Sequence, residues 1–281
     1  MAERTTTRRR QLGAMMRKLR ARKGMTLEEA GKLVGVSKAT VSRYETQAGP
    51  VKWIVVDALC REYGATEAER ASVVALAKGA KQQGWWSSFA DSIPESMNLL
   101  LTLEDEAIGE NHFACVYVPG LLQTRAYSTA LQRANEVPLD TSEIERLVDI
   151  RMKRQEILTR PKPPRLWAIL DESVIRRVVG SAEIMREQLG RLLEANESPH
   201  ITLQVLPFSK GAHAAALGSF VIIGGVEPGL DVVYVDFHTG SLFLEKDEEL
   251  ERYRLAFEYL RAQALDMEAS SAMIHRALKE L

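Results

Sequence analysis

A chain of 281 residues, 46% hydrophobic and 27% charged, can bury a sizeable core, and its length implies two domains. Its two cysteines, Cys60 and Cys115, show no paired spacing, which excludes a disulfide framework or zinc site and leaves both as buried small apolar residues. The net charge of −1 hides a division: residues 1–52 hold 13 Lys/Arg against 4 Asp/Glu, the remainder 24 against 34, so a basic head that suits a polyanion precedes an acidic body.

Residues 2–10 read equally as a solvated tail or as an arm on phosphates. A first helix is expected over 9–22, with Leu12, Met15, Met16 and Leu19 as its apolar stripe. Residues 26–46 then encode two short helices, 26–34 and 37–46, joined at Gly35-Val36. Thr26 and Ser37 stand at N-cap positions, and Glu28 and Glu29 suit the positive end of the first helix. Gly31 is small where the second helix must cross closely, and Gly35 can take the left-handed conformation of a sharp turn. The second helix has two faces: Val41 and Tyr44 fall with Val36 on one, while Ala39, Ser42, Arg43 and Thr46 form the other, short, polar and cationic as a major groove requires. Gly49-Pro50 ends the motif. A fourth helix, 51–63, carries Ile54, Val55, Ala58 and Leu59, and Thr66 caps a fifth with Val73, Val74 and Ala77.

Residues 17–50 resemble the Cro/C1-type (XRE) helix-turn-helix family, through the run from Leu19 to Thr26, the Gly31/Gly35 pair, Gly35-Val36-Ser37, and Ser42-Arg43-Tyr44-Glu45 before Gly49-Pro50. The resemblance implies a five-helix, lambda-repressor-like fold over 1–80, in which Glu45 pairs with a first-helix arginine, here Arg20, and braces the recognition helix. One departure is Leu27, where many members carry a glutamine that supports DNA contact.

The second domain, 81–281, begins where small and polar residues replace the apolar period, and Gly84-Trp85-Trp86 reads as an anchor. An amphipathic helix is expected over 94–109 and a strand over 113–118, broken by Pro119-Gly120. A helix over 142–159 ends at Pro161-Lys162-Pro163-Pro164. A short apolar run, 165–170, leads to Asp171, which opens a short helix, and 181–195 is helical. Strands are expected at 201–206, 219–223, 232–237 and 242–244, with a hairpin at 237–241. Asp247 caps a long helix, and a last helix covers 267–278. The expected fold is thus mainly α with a smaller β component: an all-α head followed by an α+β domain with a small, mostly antiparallel sheet.

Val118-Pro119-Gly120-Leu121-Leu122-Gln123-Thr124 with Ala126-Tyr127, together with Gly84-Trp85-Trp86, Leu103-Glu104, residues 151–155, Trp167 to Glu172 and Gln204 to Phe208, carries a second resemblance. It is to an actinobacterial regulator family that joins an XRE helix-turn-helix to an uncharacterised C-terminal domain, some members being WhiJ-like or antitoxin-like. That resemblance implies transcriptional regulation, often beside a gene for a short partner protein.

Catalytic chemistry is not indicated. The histidines at 112, 200, 213, 238 and 275 include no i, i+4 pair, and neither a phosphate-binding glycine loop nor a Gly-x-Ser-x-Gly elbow occurs. Asp171 and Glu172 follow a run of strand character, yet Asp171 is also a natural N-cap. A self-cleaving Ser/Lys repressor domain would need a linker Ala-Gly bond, and the two Ala-Gly bonds, Ala30-Gly31 and Ala48-Gly49, lie within the motif segment 17–50 and not in the linker. Residues 209–218 read as a flexible connection that would also let a ligand approach. No enzyme, cofactor or metal is expected. No apolar run approaches the ~18 residues of a membrane span and the N-terminus lacks a signal-peptide core, so the expectation is a cytoplasmic protein with no membrane partner.

The expected function is sequence-specific binding of double-stranded DNA as a homodimer, with two recognition helices about 34 Å apart. Lys38, Ala39 and Arg43 are the expected base readers, and Thr26, Thr40, Ser42, Thr46 and Gln47 the backbone contacts. The remaining named residues, Gly31, Gly35, Ser37, Val41, Tyr44, Glu45 and Arg20, build the motif. The alternative is an antitoxin-like module for a small neighbouring protein, with DNA binding serving autoregulation.

Overall fold

In a computed structural model, which describes residues 7–46, 51–77, 93, 95–134, 139–215, 217–224, 231–238 and 240–281, the chain divides into two units, Met1–Gly84 and Trp85–Leu281. The first is a cluster of helices: α1 (Thr7–Arg22), α2 (Leu27–Leu33), α3 (Lys38–Thr46), α4 (Trp53–Glu62) and α5 (Glu67–Ala77). Local signals delimit them. Thr66 and Glu69 cap α5 reciprocally, the Glu69 amide donating to the Thr66 hydroxyl and the Thr66 amide to the Glu69 carboxylate. Leu12, Met16 and Leu19 of α1 meet Ala30, Val41, Tyr44, Val56, Leu59, Cys60 and Val73 in one buried core, against which Leu27 also packs.

The buried face of α4 differs from the expected one. Val56, Leu59 and Cys60 point inward, while Ile54 is 65% exposed. Three consecutive β-branched residues, 54–56, cover more than half a helical turn, so hydrophobicity alone could not choose among them.

The second unit places helices on both faces of a six-stranded sheet, confirming the α+β expectation. Its elements are α6 (Glu95–Glu106), β1 (Gly109–Ala114), α7 (Arg125–Arg133), α8 (Thr141–Arg154), β2 (Arg165–Asp171), α9 (Glu172–Arg176), α10 (Ala182–Ala195), β3 (Ile201–Leu206), β4 (Phe220–Gly224), β5 (Val232–Phe237), β6 (Gly240–Leu244), α11 (Asp247–Gln263) and α12 (Met267–Glu280). The strand order is β3-β2-β1-β4-β5-β6. Pairings from β1 through β4 and β5 to β6 are antiparallel, whereas β1-β2 and β2-β3 are parallel, joined by helical crossovers.

Phe113, Ile169, Phe220 and Val233 pack on one face with Leu250, Phe257 and Leu260 of α11. On the other face Ala114, Leu166, Ala168 and Leu203 pack with Met185, Leu189 and Leu192 of α10 and Ile274 of α12, while Leu100 and Leu103 of α6 cover Val221, Ile223 and Tyr234. The first strand begins four residues earlier than expected. It is central and carries Glu110 and His112 almost fully buried, so its polar sequence hides its place in the sheet. Cys115, just beyond it, is half-buried, its amide donating to the Ser219 hydroxyl. Lys246, one residue before the expected Asp247, is the N-cap of α11; Asp247, Glu248 and Glu249 supply the first-turn acids. Among the described residues no helix is long and apolar enough to cross a membrane.

Candidate nucleic-acid interface

The turn between α2 and α3 follows from short-range bonds. Thr26 accepts from the Glu29 amide at 3.2 Å while Glu29 accepts from the Thr26 amide at 2.8 Å, closing a capping box on α2. At the other end Val36 donates to the Gly31 carbonyl and Gly35 to that of Lys32, a Schellman arrangement with Gly35 at φ +70°. A methyl group on Gly31 would stand 2.6 Å from the Val36 carbonyl oxygen, so the close crossing requires a glycine there. Ser37 then caps α3, its hydroxyl accepting from the Thr40 amide at 3.2 Å.

The position of α3 is fixed from behind. Glu45, almost fully buried, takes two hydrogen bonds from Arg20 of α1: Nε at 2.6 Å and Nη2 at 2.8 Å. Arg20 Nη1 donates to the Met25 carbonyl at 2.7 Å, which ties the start of the motif to the same guanidinium. Those bonds from Glu45 hold Arg20 above its ordinary pKa. Val41 and Tyr44 fill the core, and the Tyr44 hydroxyl accepts from the Lys52 amide at 3.2 Å. At the far side of the unit Arg22 pairs with Glu69 at 2.7 Å; with the Thr66 amide it holds the Glu69 carboxyl down at about 2.

With Val41, Tyr44 and Glu45 turned inward, Lys38, Ala39, Arg43 and Thr46 are exposed on α3, with Thr40 and Ser42 half-buried between the faces. Among the described residues Lys38 makes no ion pair and Arg43 bonds only to the Thr40 hydroxyl, at a long 3.5 Å, so both cationic ends stay available there. Several hydroxyls are partly committed: Thr26 to its cap, Thr40 to Ser37 at 3.0 Å, and Thr46 to the Ser42 carbonyl at 2.7 Å. Leu27 is half-buried against the core, an apolar use of that position. Gln47 and Gly49-Pro50 lie outside the described residues.

In the second unit Asp171 caps α9 through the Ser173 amide, and Glu172 accepts from the Phe208 amide and Arg176; both carboxylates are structural here. Stretches far apart in sequence meet instead at another place. Gln155 donates to the Gly120 and Gln123 carbonyls, Gln123 to the Val118 carbonyl, and Arg151 to Gln123 Oε1 at 2.7 Å, while Arg154 grips Glu104. Burial and the nearby Glu110 carboxylate push Glu104 up to about 7, against the pull of Arg154. Glu110 and His112, bonded to each other at 2.7 Å, join this cluster. Nothing in their spacing marks them in the sequence.

Residues 11–73 match a family described as a helix-turn-helix domain, and residues 97–276 match the family described as a domain of unknown function, DUF5753. No curated protein and no solved structure matches the chain.

Proposed function

We propose a function on one premise: the chain belongs to the DUF5753 family, with a helix-turn-helix DNA-binding domain on its N-terminal side. It is a sequence-specific transcriptional regulator of the Cro/C1 (XRE) kind, working in the cytoplasm as a homodimer. The observation that carries this reading is the division of α3: Glu45 and Tyr44 are locked inward, leaving the unpaired Lys38 and Arg43 on either side of the Ala39 methyl.

Lys38 and Arg43 donate to guanine O6 and N7, and Ala39 meets a thymine methyl. Thr26, Thr40, Ser42, Thr46 and Gln47 contact the backbone, assisted by helix N-terminal amides. The acidic second unit serves pairing and reception of a signal or partner, without catalysis. Footprinting upstream of its own and neighbouring genes identifies the operator. There, Arg43→Ala should weaken binding by about 1–3 kcal/mol, with specificity relaxed at one position. Unchanged operator affinity would refute this recognition surface. Recovery of a small, neighbour-encoded protein that alters DNA binding would favour the WhiJ-like, antitoxin-like reading instead.

A further inference from the structure

The cluster joining Glu104, Gln123, Arg151 and Arg154 borders a cleft of about 380 Å³ between α6, α8 and the β1-β4-β5 face of the sheet, within the ordinary size range of small-molecule sites. Its two arginines are not served alike. Arg154 is matched by Glu104 and His112 is bonded to Glu110. Arg151, one helical turn from Arg154 on α8, has no carboxylate partner among the described residues. Of its five N–H donors, one meets the neutral Gln123 oxygen, and Gln123 is itself held by Val118. Burial and then the adjacent Arg154 guanidinium lower Arg151 to about 10, so it remains a cation at neutral pH. Arg151 is half-buried beside a second cation with donors left over at the cleft, so an anion seated there would gain charge-assisted hydrogen bonds from its guanidinium.

The rest of the lining narrows the anion. Met97, Leu100, Val118 and Val221 form apolar walls, suited to a hydrocarbon body rather than to a bare inorganic ion. Asp236 also borders the cleft; it accepts from Ser241 and makes no ion pair with Arg151, and its charge disfavours a multiply charged guest. Gly120 sits close against Arg154, since a methyl there would lie 3.2 Å from Arg154 Nη1.

We infer that this cleft binds a small organic acid, its single carboxylate on the free donors of Arg151 and its apolar body against Met97, Leu100 and Val221. That such binding is a regulatory signal rests on the function proposed above; the binding itself does not, and it is measured without DNA.

The test is calorimetric titration of the full chain at constant ionic strength with 1-naphthoate, its uncharged methyl ester, and inorganic phosphate. Saturable binding of naphthoate is expected, at least about tenfold tighter than the ester or phosphate. Arg151→Met should weaken it about 100-fold, as for loss of a charge-assisted partner that carries the carboxylate, while leaving the unliganded chain about as stable as before. Arg151→Lys, which keeps the charge but loses the fork, should retain weakened binding and serves if the methionine variant misfolds. No saturable naphthoate binding, equal binding of ester or phosphate, or a naphthoate affinity indifferent to Arg151→Met or to Arg151→Lys would each overturn the inference. A failed operator footprint with intact naphthoate binding would instead count against the regulatory reading alone.

Discussion

Glu45→Gln is the sharpest probe of how the DNA-binding unit holds its recognition helix. The substitution keeps the shape of a nearly fully buried side chain but removes the charge that takes two bonds from Arg20, whose side chain is 16% exposed. Breaking one side of a buried pair costs about 3–5 kcal/mol. Arg20 keeps its bond to the Met25 carbonyl and some access to water, which places the cost near the lower end, about 3 kcal/mol. A unit of this size holds only about 4–12 kcal/mol in total, and each kcal/mol moves its midpoint by about 4–8 °C. Differential scanning calorimetry of the full chain should therefore show the N-terminal transition lowered by about 12–24 °C with the other unchanged. Removing both partners, Arg20→Met with Glu45→Met, should recover most of the loss, because no charge is then stranded. A shift below about 3 °C for Glu45→Gln, or a double variant as unstable as the sum of the singles, would refute the brace.

Gly31→Ala should gain about 1 kcal/mol in helix propensity and lose more to the clash with the Val36 carbonyl, which precedes the cap of α3. Operator affinity, measured by fluorescence anisotropy, should fall further than thermal stability, since the displaced turn carries the reading helix. Glu69 is held down at about 2, below its unfolded value, so it contributes stability above pH ~4.5 that is lost as pH falls toward 2. Glu69→Gln should be the less stable protein at neutral pH and should converge on the parent in acid, as followed by circular dichroism. Persistent divergence at pH ~2 would show that the Arg22 and Thr66 contacts are not what holds the carboxylate.

The motif was legible because its determinants act over three to five residues. Thr26 reaches Glu29, Ser37 reaches Thr40, and Gly31 meets Val36, so each signal and its partner share one window of sequence. Legibility failed where partners are remote. The strand Gly109–Ala114 is central because it pairs with residues 165–170 and 220–224, and no run containing glycine, glutamate, asparagine and histidine advertises that. The parallel half of the sheet rests on pairing Gly109 with Arg165 across two crossover helices, a choice made by packing rather than by turn residues. In the same way Arg151 and Arg154 stand out in the sequence only within the 151–155 run of the second resemblance, with no role attached to either. Their inequality emerges once Glu104, fifty residues away, is seen to serve one and not the other.

The narrow reading surface also sets a requirement on assembly. The three proposed readers, at about 1–3 kcal/mol of discrimination each, would supply about 3–9 kcal/mol from one copy. A genome offers roughly 10⁶–10⁹ competing sites, which corresponds to about 8–12 kcal/mol of needed discrimination. One copy falls short over most of that range, and two copies on a palindrome reach it. The proposed pairing therefore predicts that an operator with both half-sites, centred about one helical turn apart, binds with a steep dependence on protein concentration. Deleting one half-site should leave little beyond the salt-sensitive, non-specific level. Inserting about five base pairs between the half-sites should do the same by turning the second groove away. Tight binding to a single half-site, unaffected by spacing, would show that one copy reads its sequence alone and that the acidic unit has no part in recognition.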